Sequence, residues 1–198
     1  INYIFVNTQK EMFFGMAIFI VLGIVAVIVI WAIVAYNGLV KLRNMAQEAW
    51  SGIDVQLKRR CDLIPNLVET VKGYASHEKG TLENVTKART AVVQAGNNPE
   101  ERMRAENMLT STLRSLFAVA ESYPDLKANT NFMQLQGELS KLEDEIQMSR
   151  RYYNGSARNL NNSVQQFPSV IIAKIFGFTA MPYFEADESE RVVPKVSF

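Results

Sequence analysis

The chain has 198 residues, with 21 Lys and Arg against 20 Asp and Glu, and a formal net charge of +1. This near balance argues against a nucleic-acid-binding protein, which usually carries a strongly basic domain or face. With one Cys and one His, these residues can form neither an internal disulfide nor a Cys/His zinc site, which needs three or four ligands. A membrane protein and a helical globular protein remain, and the distribution of the apolar residues decides between them.

Residues 12–36 form an uncharged and strongly apolar segment, MFFGMAIFIVLGIVAVIVIWAIVAY. A bilayer span needs about 20 such residues, and a helix of this length reaches roughly 37 Å. We therefore predict a transmembrane helix at 12–36, preceded by an amino-terminal flank at 1–11. The span contains no GxxxG pattern, so we expect any self-association to come from the region after it.

Four residues near the carboxyl end of this segment are expected to lie at the membrane interface: Trp31, Tyr36, Lys41 and Arg43. Amphipathic rings favour the headgroup layer, and the two cations follow directly. The positive-inside rule predicts that the carboxyl-terminal part of the chain is cytoplasmic, because the amino side carries a balanced Lys-Glu pair at 10–11.

Apolar residues after the span recur at alternating spacings of three and four, the pattern of one helical face. The first series keeps the same phase from Ala46 to Val92, and Arg60 is the break in its early part. This continuity predicts one long helix over about 39–95, kinked at Pro65.

Two further helices are predicted after a break at 96–99. Asn98 suits an N-cap and Pro99 suits the first helical position, and this second helix should run to about Ser122. A third apolar series extends from Phe132 to Val164. No alternating strand pattern of useful length occurs between Lys41 and Phe167. We therefore predict an all-α fold: a transmembrane helix followed by an antiparallel long-helix bundle at 37–166.

The last region, 167–198, differs in character from the bundle. Residues 168–184 are apolar with one charge, Lys174, and contain Gly177 and Pro182. We favour a short helix and an extended strap packed on the bundle; a second span and an interfacial helix are the alternatives. The apolar ending at 192–198 is either a docked extended segment or a partner-binding strand.

The sequence shows no recognisable catalytic constellation. Cys61 follows the cationic cluster 58–60, but His77 lies roughly 24 Å away on a straight helix, too far to act as its base. The consecutive acids at 143–145 are spread around a helix and are expected to be solvated. The cluster 58–60 lies roughly 33 Å beyond the span, so we expect it to pair with an acidic neighbouring helix rather than with lipid. We predict no catalytic residue, no cofactor and no metal site.

Several motifs together resemble the LemA family. They are YNGLV at 36–40, EAWSGIDVQLKRR at 48–60, DLIPNLV at 62–68, YPDLKA at 123–128, RRYYN at 150–154 and FP at 167–168. Cys61 and Leu160 stand where the family commonly has aromatic residues. The resemblance implies a bacterial inner-membrane protein with one amino-terminal span and a helical-bundle domain, and it implies no established enzymatic activity.

These observations predict a membrane-anchored, non-enzymatic scaffold that binds the lipid bilayer and further copies of itself. The alternatives are an adaptor or regulator of another membrane protein, such as a protease or sensor kinase, and an enzyme with a cofactor hidden in the bundle. No nucleic-acid partner is expected. The candidate interaction residues are Trp50, Phe117, Tyr152, Val193, Val196 and Phe198.

Overall fold

The computed structural model describes residues 2–96 and 98–184, with side chains from Phe14 onward. This part of the chain contains six helices and no strand, so the all-α prediction is confirmed. The helices are α1 (Asn2–Tyr74), α2 (Lys79–Gln94), α3 (Pro99–Ala120), α4 (Pro124–Lys127), α5 (Thr130–Gln165) and α6 (Ser169–Phe176).

Helix α1 carries the long apolar segment and continues through Pro65. Among the described residues it is the one helix with the length and apolarity needed to cross a membrane, and none of its most apolar window is buried. A core helix of a soluble protein would instead be mostly buried, because its apolar side chains need cover from water.

The prediction of one helix over 39–95 is wrong, because α1 ends at Tyr74 and the chain turns before α2 begins at Lys79. Helix α2 folds back along α1, as the hydrogen bond from Arg89 Nε to the carbonyl oxygen of Cys61 shows at 3.0 Å. The two arms of such a hairpin bury apolar stripes that face each other. The turn between them has four residues, close to the 3.6 residues of one helical turn. The spacing of the apolar residues therefore continues across the turn although the helix ends.

The predicted start of the next helix is confirmed. Asn98 caps α3, and its Oδ1 accepts a hydrogen bond from the backbone N–H of Glu100 at 3.1 Å, with Pro99 in the first turn. The predicted stripe of α3 is buried from Leu109 to Ala120. Helix α5 also follows its predicted series and ends before the Phe167–Pro168 peptide, which is cis.

The short helix and strap expected after the bundle are present in the described residues. Helix α6 ends at Gly177, whose φ of 70° lies in the left-handed region that favours glycine. The N–H of Phe178 bonds the carbonyl oxygen of Ala173 at 2.9 Å, as in a Schellman motif. From Phe178 to Phe184 the chain has no regular secondary structure.

The described chain divides into two compact units. The first contains the residues up to Asn44 together with Asn159–Ala180. Its core is small and joins α1 to the α6 region through Leu39, Ile172, Ala173 and Phe178. The short helix and the strap thus have different partners: α6 packs on the helix that carries the apolar segment, whereas Phe184 of the strap packs in the second unit.

The second unit contains Met45–Arg158 and the chain from Met181 to Phe184. Apolar stripes of α1, α2, α3 and α5 meet in its main core, which includes Ile64, Leu67, Val85, Leu109, Leu116 and Phe132. A second cluster includes Ile53, Leu57, Ile146, Tyr153 and Phe184. The burial of these facing stripes holds the unit together.

Candidate functional site

Two of the predicted interface residues, Tyr36 and Arg43, contact aromatic rings near the end of α6 in the first unit. The ring centre of Tyr36 lies 4.8 Å from that of Phe176 and 5.7 Å from that of Phe178. The Arg43 guanidinium carbon lies 5.1 Å from the centre of the Phe178 ring, a cation–π contact. Trp31 is half-buried against the same small core, and Lys41 is exposed.

Sequence reasoning missed the two phenylalanines at this place. Their signal is the short apolar run on both sides of Gly177, but nothing in the sequence indicates which surface this run contacts. In the structure Phe178 is buried, whereas Phe176 remains largely exposed beside Tyr36. The rings and the cation therefore form one aromatic and cationic collar, which we define as Tyr36, Arg43, Phe176 and Phe178.

The outer surface of the α6 region is apolar as well. Phe167, Ile171, Ile175 and Phe176 are all exposed. Ile171 and Ile175 are four residues apart and therefore lie on one helical face. The described part of the first unit thus carries an uncovered apolar surface both on α1 and on α6.

A cluster of charged residues lies inside the second unit. The side chains of Arg60 and Glu106 are buried and form an ion pair through Arg60 Nη2. Arg60 Nη1 donates hydrogen bonds to Glu143 Oε2 at 2.6 Å and to Thr110 Oγ1 at 2.9 Å. We call Arg60, Glu106, Glu143 and Thr110 the buried polar cluster. It links α1, α3 and α5.

These contacts confirm the expected ion pairing of the basic cluster for Arg60 and correct the expectation that Glu143 is simply solvated. Sequence reasoning missed Glu106. It lies three residues before Leu109 and so replaces an apolar residue in the α3 stripe, as Arg60 does in α1. A polar break in each of two buried stripes is the signal that could have paired them.

Burial changes the titration of three groups in the second unit. Desolvation raises the pKa of Glu106, and the adjacent Arg60 charge opposes the change. Burial also raises the pKa of the Cys61 thiol to about 11, which leaves it protonated and a poor nucleophile at neutral pH. Burial raises the pKa of Tyr153 to about 12, and its hydroxyl donates to the carbonyl oxygen of Pro182 at 2.7 Å.

The described residues contain no group of three or more His, Cys, Asp or Glu side chains that could hold a metal ion. A groove of about 250 Å³ opens beside the buried polar cluster and is lined by Phe117, Ser140 and Glu143, among others. Its serine lacks a neighbouring histidine, because the chain's single histidine lies in the turn between α1 and α2. The polar groups here connect helices to one another.

The candidate interaction residues occupy different environments. The Trp50 ring packs against Tyr153 at 5.3 Å, and Phe117 packs against Phe132 at 6.2 Å, so both contribute to cores of the second unit. Tyr152 is 59% exposed. The remaining three, Val193, Val196 and Phe198, lie outside the described residues.

Comparison with known proteins identifies the family. A sequence model of the LemA family matches residues 49–198. Protein LemA of Metamycoplasma hominis is 30% identical over 156 residues, which cover 79% of this chain and 71% of that protein. Magnetosome protein MamQ of Magnetospirillum gryphiswaldense is 25% identical, over 81% of this chain and 70% of that protein. Magnetosome protein MamQ 2 of Paramagnetospirillum magneticum is 26% identical, over 89% and 75% respectively. None of these names is that of an enzyme. The family model and the similarity to Protein LemA show that the chain belongs to the LemA family.

Proposed function

We propose that the chain is a membrane-anchored, non-enzymatic helical scaffold that self-associates to organise a membrane or envelope assembly. The observation that carries this proposal is the nature of α1. One continuous helix has an uncovered apolar segment in its amino-terminal half and contributes buried stripe residues to the helical unit in its other half. Such a helix serves as an anchor for a folded domain.

The proposed location is the bacterial cytoplasmic membrane, crossed once. Lys41 and Arg43 follow the apolar segment, whereas Lys10 before it is offset by Glu11. This asymmetry favours a cytoplasmic helical unit by the positive-inside rule. Protease treatment of sealed spheroplasts tests the orientation, because a cytoplasmic unit stays intact until the membrane is opened.

Self-association requires a surface that the fold leaves free, and α5 carries one around Tyr152. Met148 lies four residues before Tyr152 on the same helical face, and both side chains are exposed. The ion pair between Arg59 and Glu145, at 3.7 Å, joins this edge of α5 to α1. Val55, one turn before Arg59, is also exposed there. We define Val55, Met148 and Tyr152 as the α1–α5 edge and propose it as the contact between copies.

Site-specific photo-crosslinking in living cells tests this contact. A photoreactive amino acid at position 152 should give crosslinked products of two or more copies of the chain. The matched control is position 93 on α2, because Val93 is 61% exposed and lies off the α1–α5 edge. Tyr152→Arg should also reduce the oligomer size that light scattering measures for the full chain in mild detergent.

The outcomes separate the proposed scaffold from the adaptor class. A stoichiometric product with an unlike membrane protein at position 152 would favour an adaptor or regulator. Equal crosslinking at positions 152 and 93, with a monomer at high concentration in detergent, would refute self-association. Recovery of the intact chain in the supernatant after high-speed centrifugation of broken cells would refute the anchor itself.

A further inference from the structure

We propose that α6 is a second membrane contact: a short helix that lies in the headgroup layer and touches lipid through Phe167, Ile171, Ile175 and Phe176. This inference rests on the proposed anchoring of α1 and adds a lipid-binding surface to it. The ligand is an anionic phospholipid surface.

The first argument is that α6 is apolar on two faces. Its inner face packs Ile172 and Ala173 against Leu39 in the small core of the first unit. Its outer face exposes Ile171 and Ile175. Soluble surfaces rarely expose contiguous apolar patches of this kind without a binding role, and an apolar face beside a spanning segment suits an interfacial helix.

The second argument is depth. A hydrocarbon layer of about 30 Å takes about 20 helical residues, which places its end near Trp31 when the layer begins at Met12, the start of the predicted span. Tyr36 then lies roughly 8 Å beyond that end, and its ring contacts Phe176. The contact puts α6 at the depth of the headgroups, where aromatic rings are favoured.

The third argument is charge. Residues 31–44 and 159–180 contain basic side chains, with Lys41, Arg43 and Lys174 among them, and no Asp or Glu. A basic and apolar surface of this composition complements anionic headgroups. A second copy of the same surface would bring like charges together, which favours lipid over the chain itself as the occupant.

Fluorescence quenching of the full chain in vesicles tests the proposal. The vesicles contain phosphatidylcholine and phosphatidylglycerol, and an NBD probe is attached to a single cysteine in a Cys61→Ala background. Ile175→Cys is the test position. The matched control is Val93→Cys, because Val93 is 61% and Ile175 is 67% exposed. Ile24→Cys reports on the spanning segment.

We expect iodide in the aqueous phase to quench the probe at position 175 at least fivefold less than at position 93. Doxyl-labelled lipid should quench the probe at 175 strongly and the probe at 93 little. Phe167→Cys repeats the measurement from a residue two positions before α6, which guards against an effect of the label on the helix. Circular dichroism of each variant checks that helicity is retained.

Equal quenching by iodide at positions 175 and 93, with position 24 protected, would overturn the inference and leave the anchor standing. Protection of position 175 from both quenchers would also overturn it, because a protein surface would then cover α6. Access of iodide to position 24, or failure of the chain to float with the vesicles, would overturn the anchor and the inference together.

Discussion

Replacing Arg60 with methionine tests the importance of the buried polar cluster. Methionine keeps much of the side-chain length and removes the guanidinium. In the structure this group is bonded to Glu106, Glu143 and Thr110. The substitution therefore leaves the Glu106 carboxylate, which is fully buried, without its ion-pair partner.

Breaking a buried ion pair by removing one partner costs about 3–5 kcal/mol, because the remaining charge is uncompensated. The adjacent Arg59 supplies a matched control. Its ion pair with Glu145 is 3.7 Å long and solvent-exposed, so Arg59→Met should cost about 0–1 kcal/mol. Two neighbouring arginines on one helix are thus expected to differ several-fold in their effect on the free energy of unfolding.

Thermal unfolding of the full chain in mild detergent, followed by circular dichroism, measures the difference. A loss of 1 kcal/mol lowers the Tm by about 3–4 °C for a unit of this size, so Arg60→Met should lower it by about 10 °C or more. The double variant Arg60→Met/Glu106→Leu should recover much of that loss, because it removes both buried charges. A Tm for Arg60→Met within 2 °C of that for Arg59→Met would refute the reasoning.

Three further predictions concern the second unit. Cys61 should resist iodoacetamide at pH 8.5 in the folded chain and react fully in denaturant. The pKa of Cys61 is about 11 in the folded chain, against 9.0 for a fully solvated cysteine. The stability that its protonated form contributes is therefore complete below about pH 9 and declines as the pH rises toward 11. Thermal unfolding of Cys61→Ala should lack that decline. Asn98→Ala should cost about 1 kcal/mol by chemical denaturation, whereas Asn98→Asp should cost much less because it retains a cap. Gly96→Ala should destabilise by about 1 kcal/mol, because φ is 57° there, whereas Gly137→Ala inside α5 should stabilise by up to about 1 kcal/mol in the same assay.

Sequence signals predict a helix boundary well when the residues that carry the signal lie at that boundary. Asn98 and Pro99 locate the start of α3 because a cap acts within its own helical turn. The turn between α1 and α2 was missed because its signal is weak and the apolar phase continues across it. The glycines at 73 and 80 and the polar run from Ser76 to Lys79 are its local marks.

The candidate sites depend on contacts between distant residues, which periodicity cannot pair. Arg60 is recognisable as a break in a stripe, but its partners are 46 and 83 positions away. The collar also joins residues that are distant in the sequence. Tyr36 and Arg43 are recognisable beside the span, whereas their ring partners in the α6 region come from the opposite end of the described chain.

The buried polar cluster also explains how repetitive stripes adopt a single register. Leucine-rich stripes at heptad spacing can be shifted by seven residues, about 10.5 Å along a helix, with apolar residues still facing one another. Such a shift of α1 against α3 would separate Arg60 from Glu106 and break the buried ion pair that joins the two helices, at a cost of several kcal/mol. One arginine that reaches carboxylates on both α3 and α5 therefore favours a single alignment of three helices. The register of α1 against α5 in turn determines which exposed side chains share the α1–α5 edge.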